Sequence, residues 1–307
     1  MVDQLKKLSG KFKKGQIDKD SYVRRMHDIH KALWEYRDFI RDKNLNSIKI
    51  SKDHVTFTTK DGVTMMCDPE DKRTVPLEIL NFGDYEMIEM RMIRKFLNKD
   101  SIIIDIGANI GWYSLNLSKY IPHGRIIAFE PIPGIFKHLK KNIELNNIVN
   151  VEAQNFGLSN KTGVLEFYYD PKFTAATSLR NLHENEKLKK IRCRVRRLDD
   201  FILQATPRID FIKCDVEGAE LFVIKGALET LKKTRPVLFL EMLRKWSAKF
   251  GYHPNEIIDL LGSIGYHCYY PKHDRLVKIA KVNERTKATN FYFLNPKKHA
   301  KFIKELS

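Results

Sequence analysis

Several short apolar runs in this sequence end in a carboxylate, a glycine or both, and such endings suit a small cationic ligand. The run Ile102–Ile106 leads into Asp105-Ile-Gly107-Ala108-Asn109-Ile-Gly111. Gly107 allows a tight turn and lets a ligand touch the backbone. Gly111 permits close packing of the following helix, and Asp105 stands at the strand end. The pattern is neither Gly-x-Gly-x-x-Gly nor a phosphate loop, which needs Gly-Lys-Ser/Thr. An acidic residue beside a glycine turn suits a ligand carrying an ammonium and a sulfonium. The next run ends in Phe129-Glu130-Pro131. A carboxylate about 20 residues beyond such a turn accepts both hydroxyls of a ribose, and Pro131 stops the strand. After the third run comes Asn155-Phe156-Gly157. Here an amide could bond an adenine edge and a ring could pack on it; a plain strand-to-turn transition reads equally well. The fourth run ends in Lys213-Cys-Asp215-Val-Glu217-Gly-Ala-Glu220, the fifth in Leu240-Glu241. The dipole of the helix that follows explains part of this acidity, but not the lysine beside it.

These endings need elements that aim them at one rim. From Ser101 onward short apolar runs alternate with helical patterns: strands at 102–106, 125–129, 149–155, 209–214, 237–240, 267–270 and 290–294, helices at 112–120, 135–146, 219–232 and 255–264. Such alternation predicts βαβ crossovers and a mainly parallel sheet with helices on both faces. Ligands in that architecture lie at the carboxyl ends of the strands, where the strand order switches. Two extra strands, Val164–Tyr169 and Ile191–Val195, interrupt the alternation.

Four segments are expected. Residues 1–46 form a basic helical hairpin, with Leu5, Leu8 and Phe12 on one face of the first helix. In the second, Tyr22, Met26, Ile29, Leu33, Tyr36 and Ile40 recur every three or four residues. So short a hairpin cannot bury its stripe alone. It should pack on the main domain, on a second copy or on a membrane surface, with protein favoured. Residues 47–98 form a small segment of strands and helix, in which Asp61-Gly62 marks a turn and residues 84–97 an amphipathic helix. Residues 99–296 form the ligand-binding domain, and 297–307 a basic C-terminal helix.

The 307 residues, 43% of them apolar, suffice for one large α/β domain with an appendage. Four scattered cysteines without a Cys-x-x-Cys pair argue against a zinc site or a disulfide framework. No apolar run is long enough to span a membrane, and the basic N-terminus resembles no signal peptide. A cytoplasmic protein, peripheral at most to the inner face of the membrane, is expected. The net charge of +17 is uneven, and Lys187 to Arg197 contains no acidic residue. Such surfaces attract phosphates, acidic glycans, nucleic acid or anionic lipid.

From Asn81 to Asn295 the sequence resembles the FkbM family of class I methyltransferases. The resemblance rests on Phe82-Gly-Asp-Tyr85-Glu86, Asp105-Ile-Gly-Ala-Asn-Ile-Gly111-Trp-Tyr113 and Phe129-Glu-Pro131. It continues through Val195-Arg-Arg-Leu-Asp-Asp-Phe201 and Ile212-Lys-Cys-Asp-Val-Glu-Gly-Ala-Glu220. It implies S-adenosylmethionine as cofactor, a Rossmann-like sheet of seven strands with the last antiparallel, and mostly O-methylation of sugars or natural products. With it, Tyr85, Ala108, Asn109, Tyr113 and Asp215 join Asp105, Gly107, Gly111, Glu130, Pro131, Asn155, Phe156 and Gly157 as expected cofactor contacts. An alcohol is a poor nucleophile, so a base or an alkoxide-stabilising cation helps. Asp215, Glu217 and Glu241 are the candidates for base or orienter and Lys213 for the cation; His253 and His267 are weaker ones. Asp215 and Glu241 could hold magnesium, which the sequence permits without requiring; no metal is expected. Replacing Lys213 or Asp215 should abolish turnover and leave the fold intact. The acceptor is expected to be a small molecule or glycan, phosphorylated or acidic. The rivals are an RNA ribose 2′-O-methyltransferase, since the slot after the fourth strand lacks the aromatic clamp for a flipped base, and a non-catalytic cofactor-binding scaffold.

Overall fold

The computed structural model describes residues 1–174, 177–182, 188–202 and 208–306. Lys187 and Ser307, which belong to expected basic segments, lie outside them. The chain opens with three helices, α1 (Val2–Lys13), α2 (Lys19–His30) and α3 (Ala32–Phe39). Asp18 caps α2, its carboxylate accepting from the Ser21 amide at 2.8 Å. The stripe read as one second helix is therefore divided at Lys31. An antiparallel meander follows: β1 (Ser47–Ile50), β2 (Val55–Thr58) and β3 (Thr64–Cys67). Helix α4 (Val75–Phe82), which the sequence reading missed, and α5 (Met87–Arg94) lead into the main sheet.

That sheet comprises β4 (Ile102–Ile106), β5 (Arg125–Phe129), β6 (Val151–Gln154), β10 (Phe211–Cys214), β11 (Val237–Glu241), β12 (His267–Lys272), β13 (Arg275–Ile279) and β14 (Asn290–Leu294). The order is β13-β12-β14-β11-β10-β4-β5-β6. The five strands from β11 to β6 run parallel, and β14 enters antiparallel to β11. The sheet has eight strands, not the expected seven. The extra one, β13, hairpins back on β12 through His273 at φ +55°. Its apolar residues are interleaved with Arg275 and Lys278, which hides a charged edge strand from any search for apolar runs.

The central strands β4, β5, β10, β11 and β14 are buried on both faces, as strands between helices must be. In β11, Val237 and Phe239 pack on one side with Phe96 and Tyr292; Leu238 and Leu240 pack on the other with Phe129 and Phe291. Helices α6 (Trp112–Tyr120), α7 (Pro133–Leu145), α9 (Glu220–Lys225), α10 (Leu228–Thr234) and α12 (Pro254–Ser263) cover the faces. The expected helix over 219–232 breaks at Gly226, where a side chain would strike the Ser159 carbonyl. A smaller sheet, β7 (Gly157–Leu158), β8 (Gly163–Tyr169) and β9 (Lys189–Arg196), flanks the domain, and the short α8 (Leu198–Ile202) follows it. Helix α11 (Arg244–Lys249) lies just beyond β11. The meander docks on α7 through two amides: Thr64 N–H donates to Asn146 Oδ1 at 2.8 Å and Met66 N–H to Asn142 Oδ1 at 2.9 Å.

Candidate active site

Strand order reverses between β4 and β10, and there the carboxyl ends open into a cavity of about 380 Å³. That volume suits a nucleoside-sized ligand. Its floor is the turn after β4. Gly107 sits at φ +73°, and a methyl group in place of its hydrogen would collide with the Asp215 carbonyl. The Gly107 and Ala108 amides both donate to the Phe129 carbonyl, at 3.1 and 3.0 Å, tying the turn to β5. Gly111 starts α6 at φ +100°, where a Cβ would meet Leu139 of α7 at 2.7 Å.

Lys213 lines the cavity at this floor, its side chain 5% exposed. Its ammonium donates to the Gly107 carbonyl at 2.9 Å and stands 3.6 Å from Asp105 and 3.5 Å from Asp215. Burial alone drives its pKa down, but Asp215, Asp105 and Glu86 together outweigh burial and raise it. Lys213 is thus a fixed cation that holds the turn and two carboxylates. Asp105 lies below the cavity rather than in its lining; one oxygen accepts from Ser114 Oγ at 2.6 Å, and the other, Oδ1, has no hydrogen bond.

Glu130 lines the cavity from the end of β5. Its two oxygens accept from the Ile132 amide at 2.9 Å and the Asn109 amide at 3.1 Å, which fixes the carboxylate in place. Burial pushes its pKa up to about 7. Pro131 lines the wall beside it. Asn155 does not reach the cavity. Its amide nitrogen donates to the carbonyls of Glu130 and Pro131, at 3.0 and 3.2 Å, so it buttresses the turn that presents Glu130. Phe156 turns to the opposite side of the sheet and packs on Phe129 and Phe201 with centroids 5.3 and 5.5 Å away. Gly157 lies in β7 against Pro131. None of these last three lines the cavity, and a strand-to-turn transition is what the structure shows there.

Asp215, Glu217 and Glu241 meet at the far side, with one oxygen of each within 4.8 Å of the others. Burial, and then the charge of Asp215, pushes Glu241 strongly upward, and Glu217 is raised for the same reasons. Glu241 and Asp215 share a hydrogen bond. A proton therefore occupies the pair at neutral pH and offsets their repulsion. Oxygens this close could also ligate one divalent cation. Glu220, by contrast, lies under the loop. Its Oε1 accepts from the Val216 and Gly218 amides, both at 3.1 Å, and its Oε2 from the Tyr252 hydroxyl at 3.3 Å. His253 caps α12, and His267 is exposed at the start of β12; neither lines the cavity.

Tyr85 and Tyr113 line the cavity. Tyr85 stands edge-on to Trp112, with centroids 5.8 Å apart. Tyr113 places its ring 5.3 Å from the Lys213 ammonium and hydrogen-bonds Glu86. Glu86 is the residue that the sequence reading passed over. Burial raises it to about 7 against the opposing Tyr113 hydrogen bond. Its φ of +48° was not foreseeable from spacing. Six non-glycine residues among those described have positive φ, and three of them, Glu86, Asn109 and Glu217, line this one cavity. Strain of this kind collects where function over-determines the backbone. Arg73, Phe173, Lys245 and Trp246 complete the mouth. They come from segments outside the βα alternation and carried no motif.

The cavity thus sets five carboxylates, Glu86, Glu130, Asp215, Glu217 and Glu241, around a bare glycine turn, with two cations at its mouth. That floor fits a cationic ligand with a diol. Residues 105–268 match the family model described as the methyltransferase FkbM domain. Over 145 residues the chain is 31% identical to methyltransferase 1 of Beauveria bassiana, covering 41% of this chain and 58% of that one. Over 162 residues it is 33% identical to methyltransferase sdnD of Sordaria araneosa, covering 43% and 62%. A third relative, the 2-O-methyltransferase NoeI of Sinorhizobium fredii, is 27% identical over 197 residues, covering 59% and 80%. The chain therefore spans about six tenths of the length of the first two.

Proposed function

The chain belongs to the FkbM methyltransferase family, and from that footing we infer that it transfers a methyl group from S-adenosylmethionine to a hydroxyl of an acidic carbohydrate-like acceptor. The observation that carries this reading is the carboxylate-lined cavity at the strand switch, with Glu130 fixed by two amides beside Gly107. S-adenosylmethionine, when bound, supplies an electrophilic methyl on a sulfonium. Glu130 keeps lone pairs for two ribose hydroxyls. Gly107, lacking a side chain, lets a ligand lie on the backbone. The carboxylates of Glu86 and Asp215 complement the donor's positive charge.

Orientation supplies much of the acceleration in such a transfer. The acceptor's proton goes to the carboxylate that stays charged in the Asp215–Glu217–Glu241 group, beside the raised members that already hold a proton. Lys213 holds this group and the Gly107 turn in register. At the mouth, the Lys245 ammonium stands 4.1 Å from the ring of the buried Trp246, and Arg73, whose Nε pairs with Glu78 at 2.8 Å, stands 5.2 Å from Phe173. These cations and rings support an acidic sugar. The relative named a 2-O-methyltransferase supports oxygen as the accepting atom.

The test is calorimetry with S-adenosylhomocysteine, followed by labelled methyl transfer to matched uronic and neutral sugars. The native chain should bind the homocysteine product. Glu130→Gln should weaken that binding by about 1–3 kcal/mol, the cost of a charge-assisted hydrogen bond. Unchanged affinity would remove Glu130 from the site. Tight binding with no transfer to any acceptor would leave a scaffold.

A further inference from the structure

We propose that helices α1–α3 form a docking surface for an anionic lipid bilayer. None of the three helices has a buried residue. On α3 four large apolar side chains are bare: Leu33 is 56% exposed, Trp34 49%, Tyr36 52% and Phe39 49%. Leu33, Tyr36 and Phe39 recur every three residues along one side, and Trp34 leans from beside them on His27 of α2. Val2, Phe12 and Val23 extend the exposed apolar surface over α1 and α2. The meander, by contrast, is tied to the main domain through the Thr64 and Met66 amides, and the exposed apolar residues outside these helices, among them Ile50, Phe82 and Val149, are scattered along the chain.

Charge identifies the occupant. Residues 1–46 contain twelve Lys and Arg against seven Asp and Glu, a surplus of five. The groove between α1 and α2 is lined by three cations, Lys7, Lys11 and Arg25, and one acid, Asp28, together with Gln4, Leu8 and Ile29. On α3, Asp38 is spent on Arg37 and Arg41, at 3.0 and 2.8 Å. An apolar strip flanked by basic residues, with a tryptophan and a tyrosine among its members, is what the headgroup region of an anionic leaflet accommodates. A second copy of the chain fits less well. A two-fold dimer would place this positive surface against itself.

The full chain is mixed with vesicles of phosphatidylcholine, with and without phosphatidylserine, and sedimented at low and high salt. Binding should be stronger by roughly tenfold or more on the anionic vesicles, and salt should reduce it. Trp112 and Trp246 are buried and Trp34 is half-exposed, so a blue shift in tryptophan emission on binding reports Trp34. Leu33→Glu combined with Phe39→Glu should abolish sedimentation and the shift while leaving the circular dichroism melt unchanged. Equal binding to both vesicle types, no binding, or an unaffected double variant overturns the proposal. A dimer in analytical ultracentrifugation that the double variant dissociates, without vesicle binding, overturns it in favour of a second copy. S-adenosylhomocysteine affinity, measured alongside, belongs to the other site and should not change.

Discussion

Lys213 shows how far a residue's role can differ from what its type suggests. Beside Asp215 in the sequence it reads as a cation free to meet an alkoxide. In the fold its ammonium is enclosed by the Gly107 carbonyl, Asp105 and Asp215. Breaking a buried ion pair by removing one partner leaves an uncompensated charge and costs about 3–5 kcal/mol. Lys213→Met should therefore unfold at markedly lower denaturant and not merely lose turnover. Adding Asp105→Asn should recover part of the loss, because one stranded carboxylate is then neutral. Equilibrium urea unfolding of the two variants decides this; a single variant as stable as the native chain would return Lys213 to a purely catalytic role. The carboxylates were legible because each ends a strand. Glu86 was not, because its aim comes from a left-handed backbone that no spacing encodes. Asn155 and Phe156 had suitable chemistry, but the register after β6 turns one to a backbone clamp and the other into the opposite core.

The turn Gly107–Gly111 carries the site at the scale of elements. It joins β4 to α6, takes its shape from the β5 carbonyl of Phe129, and lies against the carbonyl of Asp215 beyond β10. Gly107→Ala must fail in two ways, since φ +73° is strained for any side chain and the methyl group meets backbone. The expected result is loss of measurable S-adenosylhomocysteine binding in calorimetry, with a far-ultraviolet spectrum that stays native. Retained binding would mean that the turn is not the ligand's bed. Alternation of apolar runs was enough to place the parallel strands, because strands buried on both faces leave a plain signal. It missed β13, whose apolar residues are mixed with lysine and arginine, and α4 and α11, which fall between motifs. The same blindness hid Arg73, Lys245 and Trp246, so the cofactor side was more legible than the acceptor side.

Across the whole molecule, burying so many carboxylates makes stability depend on pH. Burial holds Glu130 and Glu220 at about 7 in the folded chain, against an ordinary 4.5. Below about pH 4.5 these groups carry protons in both states, and no difference arises. Between 4.5 and 7 the unfolded chain has released protons that the folded one keeps, so stability falls as pH rises. Above 7 both states are ionised and the burial cost is complete. Each group costs about 3 kcal/mol and the two together about 7 kcal/mol, or roughly 10 °C in melting temperature. Burial lowers His299 to about 4, which costs stability as pH falls below 6.5 and works in the opposite direction, so the useful quantity is a difference. Glu130→Gln with Glu220→Gln cannot ionise; at 220 the remaining oxygen serves the Val216 and Gly218 amides, and at 130 one of two amide acceptors is lost, a cost that does not vary with pH. The double variant's melting temperature relative to the native chain should therefore rise between pH 5 and pH 8. Saturating S-adenosylhomocysteine should narrow the gap at pH 8, because its hydroxyls give the Glu130 carboxylate new donors. Parallel melting curves for the two chains across that range would show that the cavity floor ionises without cost, and would remove the buried carboxylates as the reason for its charge.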